Sequence, residues 1–518
     1  MGYKEFRSLN AVGFNSNQYC YIYDSFSNEI LRVDPIIIDL LDDSFELSKE
    51  QTVHKYKSLY QKRSILQALV TIIEIQQVTQ ALLSFRIPRF SISQDGNEVG
   101  RLTQKLDNQL TQLALNVTEN CNLRCEYCVY SGNYINRRRH NKSNDITLGL
   151  AKKAINFFYE HSRSSEERYL SLYGGEPFLR FDFVKEAIEY AKRIDPNINI
   201  AITSNGTLLN EAIIRFLDYN NVALTVSIDG PRDLHNNYRV FLNRTGTFDV
   251  VMSKIELIKE NFPRFYSTKL KINSVVAPYK GKIEEINSFF NAPLFAFTKK
   301  PQKYSVGLVN PQNNRFFEKY DYNTYIREYF SNMFKQFVVS HIGPNNLSDI
   351  TVAKALLDKQ MKMLYFRSNR RLSEYKYYWP NGICIPGVRS LFVSSMGKFY
   401  PCEKLYDYDD MIIGDIKSGF DVGRVANLIT EYCDRTIEDC RKCWAYRLCG
   451  ECFLTIRENK SWDIIKRNEF CIGQRSMWAC ILTIYTTILE NNSDAFEYYA
   501  GEDAMDHDIF MDTKAMSD

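Results

Sequence analysis

The 518-residue chain contains no run of about 18 or more apolar residues, so the sequence predicts no membrane span. Its start, Met1-Gly2-Tyr3-Lys4-Glu5, lacks the apolar core of a secretory signal. It has no excess of either charge. Against 65 Lys and Arg stand 62 Asp and Glu, and the net charge of +3 gives no reason to expect nucleic acid as a partner. Hydrophobic residues at 45% and charged ones at 25% are ordinary for a globular protein, and the length suffices for roughly two to four domains.

What the chain does have is cysteine. Thirteen are present, and ten fall in three tight patterns that leave Cys20, Cys433 and Cys480 over. A disulfide framework would need an exporting signal, so the sequence predicts metal-bound thiolates in a reducing, cytoplasmic setting. The first pattern is Cys121-Asn122-Leu123-Arg124-Cys125-Glu126-Tyr127-Cys128, directly after a strand-like run from Leu113 to Val117. Thiolates on a loop at a strand exit can converge on one soft metal centre. Three of them, not four, leave one iron of an Fe–S cubane without a protein ligand. A zinc knuckle lacking its fourth ligand, or three unrelated thiols, are the competing readings.

Cys-x3-Cys-x2-Cys with an aromatic before the last cysteine resembles the signature of the radical SAM superfamily. The resemblance implies a [4Fe–4S] cluster on Cys121, Cys125 and Cys128 whose open iron is chelated by S-adenosylmethionine. It also implies a 5′-deoxyadenosyl radical that abstracts a hydrogen atom, with the protein supplying binding and orientation.

The residues around this loop give an α/β expectation. Strand-like segments at Tyr169–Tyr173, Ile198–Thr203, Ala223–Ile228, Lys271–Val276 and Ser305–Val309 alternate with helical ones at Leu148–His161, Phe181–Ile194, Asn210–Tyr219 and Phe248–Asn261. With the strand before Cys121 these make six β/α units. Radical SAM enzymes are similar, a TIM-like partial (β/α)6 barrel with the cluster at the C-terminal ends of the strands. Tyr127, Gly174, Gly175, Glu176, Ser204, Asn205, Ser227 and Arg239 fall at strand ends or on the cluster loop. The resemblance makes them cofactor contacts, Gly174-Gly175-Glu176 facing the amino group and Ser227 and Arg239 the ribose and carboxylate. Asp229 and His235 stand in the same stretch. The basic run Arg137-Arg138-Arg139-His140 reads as a solvated face.

Ahead of the barrel, alternating Tyr19, Tyr21 and Tyr23 and a return through Glu29–Val33 predict a hairpin within 18–34. Pro35 opens a short helix to Leu41, and longer helices follow near Glu50–Tyr60 and Ser64–Leu83. Phe90–Val99 is a further possible strand and hairpin, and Asp95–Leu106 a linker. This arrangement resembles the winged-helix-like leader-binding domain of peptide maturases, which adds a precursor peptide to a sheet edge. A structural appendage that binds nothing is the alternative.

Past a helical connector, metal-ligand spacing returns. Cys384, Gly397 and Cys402 form Cys-x12-Gly-x4-Cys around a hairpin at Ser390–Tyr400, and Cys440, Cys443, Cys449, Cys452 and Cys471 follow. This resembles the SPASM domain, with a zinc ribbon as the alternative. The resemblance gives Cys384, Cys402 and Cys452 to one auxiliary [4Fe–4S] cluster, and Cys440, Cys443, Cys449 and Cys471 to another. Two residues, not the familiar three, separate Cys449 from Cys452. The first auxiliary cluster lacks a fourth ligand, so either its iron is open or Cys433 completes it. Glu403 stands where some relatives place an acidic general base, although an ordinary surface carboxylate is the favoured reading.

The expected organisation is a leader-recognition-like domain with its linker at 1–106 and a radical SAM partial barrel at 107–314. A connector at 315–378, a SPASM domain at 379–480, and a helix with an acidic tail at 481–518 complete it. The function expected is maturation of a ribosomally made precursor peptide, by a thioether from cysteine to carbon or a carbon–carbon cross-link at an aromatic residue. An electron donor such as flavodoxin or ferredoxin would serve it. The alternatives are a sulfatase-maturing enzyme that makes formylglycine, and a non-catalytic Fe–S carrier, peptide-binding protein or zinc scaffold.

Overall fold

A ten-stranded mixed sheet forms the centre of the computed structural model. The structure describes residues 2–500 except 7–9, 26, 83–95, 135–139, 142, 279–282, 296–302, 312–313, 343–350, 368–383, 407, 441, 456 and 459–460.

The N-terminal part is a four-stranded antiparallel meander, β1 (Tyr3–Glu5), β2 (Ala11–Asn15), β3 (Cys20–Asp24) and β4 (Glu29–Val33). The β3–β4 turn is set by Asp24, whose carboxylate accepts from the N–H and hydroxyl of Ser27, and by Asn28 at φ 60°. Helices α1 (Pro35–Leu40), α2 (Asp43–Glu46), α3 (Lys49–Tyr56) and α4 (Lys62–Leu82) follow. Asp34 caps α1, and Ser48 with Gln51 closes a capping box on α3. The period-two alternation of the strands gives the sheet two apolar faces. Ala11 and Ile22 join a separate core with Ile36, Ile37, Leu40 and Ile65, whereas Val12, Phe14 and Tyr23 belong to the main core. The two strands β1 and β2 are absent from the sequence reading. They are short, and Gly13 interrupts the apolar pattern of β2 where a side chain would meet Ile38 and Phe6 at 2.9 Å.

Helix α5 (Gly96–Asn108) then replaces the linker expected at Asp95–Leu106. Leu102 and Leu106, one turn apart, are buried, so this segment packs rather than spans. Of the possible strand at Phe90–Val99, residues 90–95 lie outside the described residues and the rest is helix.

Six parallel strands follow in chain order: β5 (Gln112–Thr118), β6 (Tyr169–Gly174), β7 (Asn199–Ser204), β8 (Ala223–Ser227), β9 (Leu270–Val276) and β10 (Tyr304–Leu308). The connecting helices are α6 (Leu148–Glu160), α7 (Phe181–Ile194), α8 (Glu211–Tyr219), α9 (Arg232–Tyr238), α10 (Phe248–Asn261), α11 (Pro263–Thr268) and α12 (Ile283–Asn291). The six strands and α6, α7, α8 and α10 fall within a residue or two of the sequence expectation, whereas α9, α11 and α12 are additional to it. Among the described residues the sheet does not close into a barrel. Helices α13 (Tyr322–Ile342) and α14 (Thr351–Tyr365) lead to β11 (Ser390–Val393), which pairs parallel to β5 on the side away from β6. Strands β12 (Lys398–Tyr400), β13 (Gly414–Asp415) and β14 (Gly419–Phe420) extend that edge antiparallel. The register places Ala114, Ser171, Ala201, Thr203, Thr225, Ser227 and Asn273 on one face of the parallel sheet, a more polar face than its opposite.

The C-terminal part comprises α15 (Val422–Cys440), the two-stranded β15 (Arg457–Glu458) and β16 (Ser461–Trp462), and α16 (Ile464–Asn491). Helix α16 starts well before Cys480 and carries Cys471 as well, so no boundary falls at 480. The N-terminal sheet rests on this part. Tyr21 donates to Glu490 at 2.8 Å, and the rings of Tyr3 and Tyr23 both lie near Trp444.

Candidate functional site

The cysteine loop leaves β5 at its C-terminal end, where the topology predicts a site. Backbone bonds fix it: Arg124 N donates to Val240 O at 2.8 Å and Glu126 N to Tyr238 O at 3.2 Å. Cys121 and Cys125 are buried and Cys128 is half-buried. The Cys121 sulfur accepts from Leu123 N at 3.4 Å and Asn205 Nδ2 at 3.7 Å, and the Cys128 sulfur from Tyr130 N at 3.4 Å. Burial pushes the thiols of Cys121 and Cys125 up to about 12 and that of Cys128 to about 11. A bound metal reverses this preference, because it takes the thiolate.

Gly174 and Gly175 serve a close approach of two backbones. A Cβ on Gly174 would lie 2.2 Å from Thr118 O, and one on Gly175 would lie 2.1 Å from Asn120 O. Gly174 also holds φ +145°, which favours glycine. Gly175 N donates to Thr118 O at 2.7 Å and Glu176 N to Asn120 O at 2.9 Å, so the β6 exit is laced to the cysteine loop. Glu176 itself is fully buried and accepts from Phe178 N, Ser204 Oγ and Asn205 N at 3.1, 2.9 and 2.7 Å. Burial raises its carboxyl to about 7 against the pull of those donors. Asn205 then reaches Asn122 Oδ1 at 2.8 Å, which brings the β7 end to the same loop.

Ser227 is buried at the end of β8, and just beyond it lies a cluster built on Asp229 and His235, two residues to which the sequence assigns no role. Asp229, fully buried, accepts from the Tyr127 hydroxyl, from Arg239 Nε at 3.1 Å and from Val275 N at 3.1 Å. Arg239 is 7% exposed, so the two form a buried ion pair. Burial depresses His235 to about 4 and keeps it neutral. Its Nδ1 accepts from Asp229 N at 3.4 Å, and Nε2 stands 2.9 Å from Thr247 Oγ1, which donates to Arg239 O. The signal in the sequence was an acid before Gly230-Pro231 at a strand exit.

Of the basic run, Arg137–Arg139 lie outside the described residues, while the His140 ring stands 5.7 Å from Tyr130. Glu403 sits half-buried in a short turn directly after Cys402. Three residues on, the Tyr406 hydroxyl donates to Glu119 at 2.7 Å, joining the C-terminal part to the cysteine loop.

Each thiol of the first loop lies within electrostatic reach of another, as Cys402 does of Cys384 and Cys452. The same holds among Cys440, Cys443, Cys449 and Cys471, which line a cavity of about 420 Å3. The groups acting on Cys433 are Asp434 and Cys440. Among the described residues, no three His, Cys, Asp or Glu side chains are spaced for one metal ion. In a cubane each thiolate takes its own iron, so ligands surround a volume instead of meeting at a point. The all-sulfur donors fit such a cluster. No described helix is long and apolar enough to cross a membrane.

Comparison with known proteins agrees with this geometry. Residues 115–285 match the radical SAM superfamily. The chain is 26% identical over 390 residues to a cysteine-type anaerobic sulfatase-maturating enzyme of Clostridium novyi, covering 71% of this chain and 94% of that protein. It is 34% identical over 144 residues to a serine-type anaerobic sulfatase-maturating enzyme of Bacteroides thetaiotaomicron, covering 27% of this chain and 34% of that one. Among solved structures, native anSMEcpe with bound AdoMet superposes with a TM-score of 0.54 at 20% identity, covering 76% of this chain and all of that one. Residues 115–285 thus carry the radical SAM fold, that of a family whose members use S-adenosylmethionine and a [4Fe–4S] cluster.

Proposed function

We propose that the protein is a radical SAM enzyme that oxidises a residue within a peptide bound at the N-terminal sheet. The observation that carries this reading is β4. Among the described residues it ends the N-terminal sheet, whereas the opposite end, β1, is seated against α16. An extended peptide can pair with the free main chain of such an edge. The substrate is then a ribosomally made precursor whose leader occupies that edge, and the product is a thioether or a carbon–carbon cross-link.

Cys121, Cys125 and Cys128 hold the cluster at which S-adenosylmethionine supplies the hydrogen-abstracting radical. Glu176, Ser204 and Asn205 brace the loop from two neighbouring strands, while Asp229 orients Tyr127 and Arg239 beside it. Ser227 and Arg239 meet the ribose and carboxylate in this reading. Cys384, Cys402 and Cys452 hold one auxiliary cluster, with an open iron, because the thiol within electrostatic reach of Cys433 is Cys440, two turns along the same helix. Cys440, Cys443, Cys449 and Cys471 hold the other, and a flavodoxin or ferredoxin supplies electrons. Glu403, next to Cys402 in the chain, takes the substrate proton.

Formylglycine formation is the second reading, favoured by the similarity to the sulfatase-maturating enzyme over 94% of its length. The reconstituted enzyme should be incubated with candidate precursors, with and without leader, and with a peptide carrying a sulfatase cysteine. A product that has lost hydrogen but kept its sulfur, formed only when the leader is attached, supports the cross-link. A sulfur-free aldehyde formed without any leader overturns it in favour of formylglycine.

A further inference from the structure

The cavity around Cys440, Cys443, Cys449 and Cys471 carries charges that thiolate ligands alone do not require. Arg467, Cys471 and Arg475 recur every four residues on α16, which puts them on one face of the helix at successive turns. Arg467 is 1% exposed. It donates from Nη2 to Cys440 Sγ at 3.2 Å, from Nη1 to Asp439 at 2.7 Å and from Nε to Glu451 at 2.9 Å. Its charge is balanced by carboxylates of the same domain.

Arg475 is built differently. It lines the cavity beside Cys443, and its Nε stands 2.8 Å from Glu5 Oε1, an ion pair off the hydrogen-bond line. Glu5 lies on β1, the end strand of the N-terminal sheet, and also lines the cavity. Two residues before it, Tyr3 shares a hydrogen bond of 3.2 Å with Ser476. The N-terminal strand is therefore seated on α16 at the turn that follows Cys471.

We infer that Arg475 and Glu5 are an opposed pair of positioning residues that sets the reduction potential of the cluster in this cavity, and that β1 thereby couples the N-terminal sheet to that cluster. The inference rests on the proposed assignment of the four cysteines to an iron–sulfur cluster. Each electron accepted adds one negative charge. A guanidinium beside a ligating sulfur stabilises the reduced form and raises the potential, and a nearby carboxylate lowers it. Arg467 makes a contribution fixed by the fold, because it is buried together with Glu451. Arg475 and Glu5 are 26% and 42% exposed at the mouth. Displacing β1 withdraws Glu5, leaves Arg475 unopposed, and makes the cluster a better electron acceptor. Occupancy of the N-terminal sheet then bears on the electron sink that oxidation of a substrate needs.

The test is a potentiometric titration followed by electron paramagnetic resonance on the full-length, reconstituted chain. The signal to follow is the one missing from a Cys443→Ser/Cys471→Ser variant. Glu5→Gln should raise its potential and Arg475→Met should lower it, each by about tenfold in the reduced-to-oxidised ratio, about 59 mV for one electron. Arg475→Lys should restore most of the loss, and Glu5→Gln/Arg475→Met should return close to the parent. A merely structural disturbance would move both single variants the same way. Such a common shift, or no shift with the iron content intact, overturns the inference alone. Full iron content in the Cys443→Ser/Cys471→Ser variant overturns the cluster assignment and the inference with it.

Discussion

The two ends of the cysteine framework are built on opposite plans. The first trio sits on one loop, pinned by backbone hydrogen bonds to 238–240 and to the β6 exit, and the charged groups near it are already paired. Arg124, for instance, donates to the carbonyls of Cys121 and Leu123. The later quartet comes from the end of α15, the turns after it and α16, and charges of both signs line its cavity. A sheet holds the first site, so its geometry is insensitive to distant change. Helix packing and ion pairs hold the second, so it can answer to the rest of the chain.

The strongest way to break this contrast is to remove each set of ligands. Cys121→Ala/Cys125→Ala/Cys128→Ala should abolish cleavage of S-adenosylmethionine and lower the iron content by about four per chain. Cys443→Ala/Cys471→Ala should keep cleavage and lose coupled product. Iron analysis and 5′-deoxyadenosine assays decide it. Equal loss of cleavage in both variants would mean that the two sites are not separable.

Next in size is the buried pair that backs the first loop. Asp229→Ala removes the partner of Arg239 and of the Tyr127 hydroxyl and leaves a buried guanidinium uncompensated. The expected cost is about 3–5 kcal/mol in denaturant unfolding. Glu5→Gln, which breaks a half-exposed pair at the second site, should cost no more than about 1 kcal/mol.

Glu176 sharpens the contrast through pH. Its carboxyl rises from 4.5 to about 7 in the folded protein, so the native state binds more protons than the unfolded chain between those values. Stability contributed by the protonated form is fully present below about pH 4.5, is lost as pH rises towards 7, and levels off above it. The loss is about 3 kcal/mol at about 1.4 kcal/mol per unit. Urea unfolding of the iron-free chain should show this slope, and Glu176→Gln should flatten it. An unchanged slope would mean that water reaches the carboxylate.

How much of this was legible in the sequence follows the same division. The parallel strands and their helices were readable because each carries its own period and breaker, as Thr147 and Asn210 do at the starts of α6 and α8. The first trio was readable because one loop holds it all. Three features were not. α5 looked like a linker because its polar surface outweighs the two leucines it buries. The Asp229 cluster depends on Val275 and Thr247, which join it only when β9 and α10 are in place. Arg467 and Arg475 show their spacing in the sequence, but their opposing carboxylates come from Asp439, Glu451 and Glu5, which no local pattern connects.

The smallest effect concerns the link between the two plans. Tyr406, four residues after Cys402, donates to Glu119, two residues before Cys121, and both side chains are buried. If the first site owes its geometry to the sheet alone, Tyr406→Phe costs only a hydrogen bond to a carboxylate, about 1.5 kcal/mol or a little more. The cluster loop would stay where Gly175 and Glu176 hold it, and cleavage of S-adenosylmethionine would fall less than about tenfold, a barrier change of under about 1.4 kcal/mol. A larger drop in cleavage with unchanged unfolding would mean that the C-terminal part helps aim the first loop. The independence of the two sites would then be a property of their folding and not of their chemistry.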